Sequence, residues 1–383
     1  MSKLEEYLNA KPLYYDEIDY SRMPRVYEKI KNNFSQVKII HLIGTNGKGT
    51  TGRFLASALH SLGFSTAHYT SPHIVNFNER IWIDSQEISD EKLDVAHENL
   101  LSILEKKDAD SLSYFEYTTF LAMLIFKDTE YVVMEAGLGG EHDATAVFAK
   151  VLTLVTPIDI DHEAFLGSTI QAIATTKLNA VQNSAILAKQ THSDVYECAS
   201  LIASQKELEI FRVDDFLNQE DSSKILAISK NLSLPEYLIN NLSLSIAALN
   251  FLKISYSVEN FHNSKLFGRL TQYKSNILLD VGHNTLAAKA IVNALKGKKY
   301  ILVYNSYKDK NYKEIFAILK PIIKYVELIA VDDKRIEKSS FLEKSLADLD
   351  IKYNNFTKTQ ESEEYLVFGS FSVVEAFLRS HSE

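Results

Sequence analysis

Apolar positions in this chain fall into short unbroken runs and one-sided stripes, and the two alternate nearly from end to end. The runs read as buried strands and the stripes as amphipathic helices. Val37, Ile39, Ile40, Leu42 and Ile43 form the first run. After it, Phe54, Leu55, Ala58, Leu59 and Leu62 share one face of a helix that Gly63 can terminate. Tyr131–Met134, ending at Glu135, and Val151–Val155, closed by Thr156-Pro157, are further strands, as are Ile186–Ala188 and Ile210–Val213. Ser89, Asp90 and Glu91 mark a helix start. The stripe Leu93, Ala96, His97, Leu100 and Leu104 follows, with Lys106 and Lys107 placed for the negative end of its dipole. Pro235 opens a long helix through about Leu252, with Leu242, Ile246 and Leu249 facing inward. A second series begins after it, with Ile277–Val281, Tyr300–Tyr304, Val326–Val331 and Tyr365–Phe368 as strands and helical patterns between them.

This alternation predicts an α/β fold with mostly parallel strands. The polar stretch Ser255–Lys265 is the best linker candidate, so one domain is expected over residues 1–265 and a smaller one over 266–383. A length of 383 residues agrees, because it exceeds one ordinary core. Sites in such folds form at the carboxyl ends of strands, so both domains are expected to contribute.

Composition then narrows the class. Hydrophobic content of 46% and charged content of 24% are those of a soluble globular protein. A formal charge of −9 argues against a nucleic-acid partner. Cys198 is the only cysteine, which excludes an internal disulfide and fits a reducing, cytoplasmic setting. Met1–Tyr7 is charged and lacks an apolar core, so no signal peptide is expected there. The densest apolar run, Phe120–Phe126, is too short to cross a membrane. No membrane partner is expected, and a monomer is the expected state.

The most informative stretch lies between the first strand and its helix. Gly44 to Thr50 reads Gly-Thr-Asn-Gly-Lys-Gly-Thr. Glycine lets the backbone approach a polyanion, the helix N-terminus adds partial positive charge, and Lys48 adds a full one. The Thr50 hydroxyl suits a phosphate or a magnesium ion. The spacing differs from the common phosphate loop, since only Thr45 and Asn46 separate Gly44 from Gly47 and Gly49 separates Lys48 from Thr50. The strand–turn–helix context nevertheless predicts a bound nucleoside triphosphate.

Other segments place reactive side chains just after strands. Thr70-Ser71-Pro72-His73 precedes Asn76-Phe77-Asn78-Glu79-Arg80. Glu135-Ala136-Gly137-Leu138-Gly139-Gly140 precedes Asp143-Ala144-Thr145, and Asp161-His162 leads to Lys177. Gly268-Arg269, Asp280-Val281-Gly282-His283-Asn284 and Lys308-Asp309-Lys310 come later. Singly, each has a bland reading: Ser71 as a turn initiator, His162 as a surface histidine, Lys177 as a solvated helix lysine. Their joint order is the signal.

Together these segments resemble the folylpolyglutamate synthase/dihydrofolate synthase family of the Mur ligase superfamily, over nearly the whole chain. The resemblance implies an N-terminal P-loop ATPase-like domain and a smaller C-terminal Rossmann-like domain. It implies an ATP-dependent ligase that phosphorylates a carboxylate on dihydropteroate or a folate and lets the amine of L-glutamate attack it. Asn46, Gly47, Lys48, Gly49 and Thr50 then hold ATP. Ser71, Glu135 and His162 match magnesium-binding residues, and Lys177 matches a lysine that is carbamylated in the superfamily and can then face a second magnesium ion. Arg269 matches the arginine that reaches the ATP phosphates from the second domain. Asp280 matches a residue near the ribose, Asn241 one near the adenine, and His283 and Asn284 the active-site edge of the second domain. Lys48, Lys177, Arg269 and His283 are the catalytic candidates. Glu79 and Arg80 are weaker candidates or a structural ion pair, and Asp309 and Lys310 are weaker candidates too.

The chain departs from the family pattern at several points. Thr285 stands where proline usually follows His-Asn, Gly282 replaces an alanine, and Glu141 and Ala146 replace an arginine and an asparagine. Phe267 replaces a proline before Gly-Arg, and Thr176 and Leu178-Asn179 flank Lys177 unusually. Two alternatives stay open here: a muramoyl-peptide-type amino-acid ligase, and a catalytically silent nucleotide-binding protein that uses closure as a signal.

Overall fold

A computed structural model describes residues 3–11 and 19–381; Met1 and Ser2, at the start of the segment expected to hold no signal peptide, lie outside them. The chain divides into two compact units, one of Met1–Leu234 with Leu238–Ser264, the other of Pro235–Tyr237 with Lys265–Glu383.

The first unit is built on an eight-stranded sheet. Its strands are β1 (Lys38–Ile43), β2 (Thr66–Tyr69), β3 (Ile81–Ile83), β4 (Gln86–Glu87), β5 (Tyr131–Glu135), β6 (Leu152–Val155), β7 (Ser184–Leu187) and β8 (Glu209–Arg212), in the spatial order β4-β3-β2-β5-β1-β6-β7-β8. The six strands from β2 to β8 in that order run parallel, and β3 is antiparallel to both its neighbours, β2 and β4. Parallel strands covered on both faces read as continuous apolar runs. In β1 alternate residues serve opposite faces: Ile39 joins a core with Tyr117 and Phe120, whereas Ile40 and Leu42 join one with Phe54, Leu59 and Leu249. That second core is closed by helix Lys48–Ser61 and helix Glu236–Phe251.

The second unit carries a six-stranded sheet. Its strands are β9 (Thr271–Lys274), β10 (Ile277–Leu279), β11 (Tyr300–Tyr304), β12 (Ile323–Leu328), β13 (Tyr353–Asn355) and β14 (Tyr365–Phe368), in the order β13-β12-β11-β14-β10-β9. Only β9 is antiparallel to its neighbour. The α/β expectation with mostly parallel sheets is met.

Some local expectations are not. Helix Asp90–Ile103 ends before Lys106 and Lys107, because Leu104 turns to extended backbone and buries its side chain; the two lysines begin a separate helix, Lys106–Ser111. The polar stretch after Leu252 is no bare tether. Tyr256 and the fully buried Phe261 pack edge to face at 6.0 Å around a short 3-10 turn, Val258–Phe261. The strand expected over Val326–Val331 runs from Ile323, where pairing with Tyr300 begins, to Leu328.

Candidate active site

The site in the first unit grows from the turn between β1 and helix Lys48–Ser61. Gly44 has φ +134° and Gly47 φ +93°, values that side chains resist. Space is as restrictive, for a methyl group on Gly44 would lie 2.1 Å from Thr156 Oγ1, and one on Gly47 2.5 Å from Asn241 Oδ1. The backbone therefore sits against its neighbours with only hydrogen at these positions. The amides of Thr45 and Asn46 donate to the Pro157 carbonyl at 2.9 and 3.4 Å. The Lys48 ammonium curls back to the Gly44 and Thr45 carbonyls, at 3.3 and 3.4 Å. Beyond it, the buried Thr50 hydroxyl has no hydrogen-bond partner. An orphaned hydroxyl in the first turn of a helix, where amides also lack intrahelical partners, is a fit for phosphate oxygen or a metal ion.

Glu135 ends β5, the parallel neighbour of β1, so its carboxylate emerges beside the loop. Its Oε2 accepts from the Thr70 hydroxyl and, at 3.3 Å, from the Ser71 amide, while Oε1 lies 3.7 Å from Lys48 Nζ. Ser71 thus meets Glu135 through its backbone. Lys177 is only 4% exposed and donates to the Gly44 carbonyl at 2.9 Å. Burial, with Lys48 nearby, pulls its amine down to about 7. The backbone of Lys177 also crowds Gly140, where a methyl would come within 2.6 Å of its carbonyl. The Gly-rich turn after Glu135 is held from inside by Asp143. Its carboxylate accepts from the Gly137, Leu138 and Thr145 amides, and the Thr145 hydroxyl lies 2.8 Å from His41 Nε2 on β1.

Around Ser71, Glu79 and Arg80 do not pair with each other. The Glu79 carboxylate accepts three amides, of Ile74, Val75 and Asn76, each at 2.7 Å. Arg80 Nε donates to His73 Nδ1 at 2.8 Å, and its guanidinium lies 5.3 Å from the Tyr114 ring. The expected ion pair fails because a turn of free amides is the better partner for the carboxylate. Phe115 packs on Gly137, where a methyl would approach its ring to 2.7 Å.

His162 follows β6 in a left-handed conformation, φ +55°, with its amide on Asp161 Oδ1 at 2.9 Å, and its side chain is exposed. Among the described residues, no group of three or more His, Cys, Asp or Glu could hold a metal ion. The donors here are of another kind: the Thr50 hydroxyl and the Glu135 carboxylate, both hard oxygens suited to magnesium.

In the second unit, Asp280 follows β10 and is buried. It accepts from the Gly282 and Leu270 amides, each at 2.8 Å, and from the Tyr237 hydroxyl at 3.1 Å. Burial pushes its carboxyl up, and the charge of Arg269 opposes that rise. Arg269 lies over the Phe371 ring at 5.2 Å. Asn284 caps helix Thr285–Ala294 by accepting the Ala287 amide at 2.9 Å, and His283 Nδ1 is 3.2 Å from the Val281 carbonyl. Asp309 and Lys310 pair at 3.3 Å after β11.

No family model matches the chain. A solved structure, the folylpolyglutamate synthetase of Helicobacter pylori, is 36% identical and superposes with a TM-score of 0.81 over 99% of this chain and 98% of that one. The chain belongs to the folylpolyglutamate synthetase family. The dihydrofolate synthase/folylpolyglutamate synthase of Haemophilus influenzae is 28% identical over 94% of this chain and 93% of that one. A bifunctional folylpolyglutamate synthase/dihydrofolate synthase from Yersinia pestis, 22% identical, shares the fold with a TM-score of 0.83 over 99% and 97% of the two chains; its crystal holds AMPPNP and a manganese ion.

Within this synthetase-family chain, Gly44–Thr50, Asn241, Ser71, Glu135 and Lys177 form one connected neighbourhood. Asp280, His283 and Asn284 share the turn after β10 and the start of its helix, Arg269, just before β9, acts on Asp280 through its charge, and Asp309 and Lys310 lie on the loop after β11. Sequence reasoning left Thr70, Asp143 and Tyr237 without roles. Thr70 and Asp143 lay inside motifs already picked out; Tyr237 had no signal, because its partner Asp280 is 43 residues away. Glu141, one of the departures, accepts from Asn179, another, at 2.9 Å.

Proposed function

We propose that this chain is an ATP-dependent ligase that joins L-glutamate to dihydropteroate and, on the same site, to folates. The observation that carries this reading is the neighbourhood of Lys48, Glu135, Lys177 and the orphaned Thr50 hydroxyl around one Gly-rich turn, in a chain whose family relatives carry these activities in their names.

The chemistry follows from charge. Loop amides, the helix N-terminus and Lys48 neutralise the triphosphate. The γ-phosphoryl group passes to a substrate carboxylate oxygen, giving an acyl phosphate and ADP. The glutamate nitrogen then attacks the acyl carbon, loses a proton, and phosphate leaves as the amide forms. Thr50 and Glu135 are the residues that would hold magnesium, which shields the phosphate oxygens while they react. Lys177 is the residue to carry a carbamate, since a neutral amine is the form that adds carbon dioxide. Arg269, a permanent cation, is kept as a catalytic candidate of the second unit. His162 is kept as a metal-facing candidate and His283 as a catalytic one, while Asn284 supports its helix. A reducing, cytoplasmic setting suits the single Cys198.

An ADP-release assay with dihydropteroate and L-glutamate, followed by mass measurement of the product, tests this reading. The expected product is heavier by one glutamate residue. Turnover with a UDP-linked muramic acid instead would favour the muramoyl-peptide reading, and no ADP release with any acid and amine pair would favour a silent nucleotide-binding protein.

A further inference from the structure

One residue of the Gly-rich turn has no part in that chemistry yet makes its densest contacts. Thr45 donates its amide to the Pro157 carbonyl at 2.9 Å. Its hydroxyl donates to the Asp159 carbonyl at 3.0 Å and accepts from the Asp159 amide at 3.1 Å. One hydroxyl thereby serves as both donor and acceptor to a single residue of another loop. That loop is itself anchored. Thr156 bonds Ile43 at the end of β1, the Ile158 amide donates to Gln190 Oε1 at 2.9 Å, and Asp159 Oδ1 lies 3.1 Å from His192 Nε2. Two residues further on, Asp161 Oδ1 takes the His162 amide.

We propose that Thr45 is a positioning residue, whose hydroxyl fixes the phosphate-cradling turn against the 157–162 segment and so sets the spacing between Lys48–Thr50 and the Asp161–His162 pair. Packing alone does not require it. Thr45 is half-buried, and valine has the same shape without the hydroxyl. A serine keeps both hydrogen bonds. The inference rests on the ligase reading, because a fixed spacing matters only if both segments serve one nucleotide.

Thr45→Val and Thr45→Ser separate the roles. In the nucleotide-free protein, deuterium exchange of a peptide spanning 157–162 is expected to quicken in Thr45→Val and to match wild type in Thr45→Ser. In turnover, Thr45→Val is expected to raise the KM for ATP by roughly 5- to 100-fold, the range for a lost buried partner, with the KM for the pterin substrate unchanged. Thr45→Ser should stay within about twofold of wild type on the same reasoning. Should Thr45→Val fail to fold, Thr45→Ala is read by the same two measurements. Unaltered exchange, or faster exchange with a wild-type KM for ATP, overturns the proposal. A wild-type enzyme that forms no amide with ATP would instead strike down the ligase reading, since the exchange result does not depend on it.

Discussion

Among the described residues, the Lys48 ammonium bonds or ion-pairs only with the Gly44 and Thr45 carbonyls and Glu135, so its replacement tests a charge and little packing. Lys48→Ala should lower kcat by on the order of 10³, with Tm near wild type, as steady-state kinetics and calorimetry would show. Wild-type turnover would remove the loop from the reaction. Lys150 gives a second test, away from the turn. Its ammonium is buried on the Ala146 carbonyl at 2.7 Å, and burial holds it at about 7. The unfolded chain keeps that proton up to the ordinary lysine range, so it binds more protons than the folded one between those limits. Stability contributed at this site must then rise as pH climbs from about 7. Lys150→Met removes the group, and its stability advantage over wild type should be largest at neutral pH and shrink towards pH 9 in urea titrations. A pH-independent difference would contradict the assignment. At this scale the sequence was legible where a motif names chemistry, as at Lys48 and Glu135. It was silent on burial, which turned Lys177 from an ordinary helix lysine into a buried amine within bonding distance of Gly44.

The elements were legible where hydrophobic pattern alone decides them. β1 and its helix follow directly from apolar spacing, whereas β3 and β4 are two or three residues long and carry no period to read. The turn after β1 depends on glycine for two reasons, left-handed backbone and contact with Thr156. Gly44→Ala should cost at least about 1–3 kcal/mol and weaken nucleotide binding, measurable by denaturation and fluorescence titration. The turn after β10 behaves oppositely. Thr285 occupies the first helical position, where proline is well tolerated because that amide has no intrahelical partner. Thr285→Pro should leave Tm and kcat nearly unchanged, whereas Asn284→Ala, which removes the cap, should cost about 1 kcal/mol. The reverse ranking would show that this helix start is misread. Gly282 is explained by packing: a methyl there would meet Phe368 at 2.6 Å.

For the whole molecule, each of the two α/β units places candidate residues at the carboxyl ends of parallel strands, as at Gly44–Thr50 after β1, Glu135 at the end of β5 and Asp280 after β10, as such sheets usually do. That much of the fold was written in the alternation of runs and stripes. Strand order was not, because β1 lies between β5 and β6 through contacts about a hundred residues apart in the chain. A protein that binds nucleotide only when folded gains stability by mass action, about 2.7 kcal/mol at a hundredfold excess over Kd. ADP with magnesium should therefore raise Tm by a few degrees in wild type and not in Lys48→Ala. The central claim is that ATP energises an acid before nitrogen captures it. Oxygen transfer tests this most directly. With dihydropteroate labelled by ¹⁸O in its carboxylate, ATP and L-glutamate, the inorganic phosphate released should carry one labelled oxygen by mass spectrometry. Unlabelled phosphate from a reaction that still forms the amide would contradict the account.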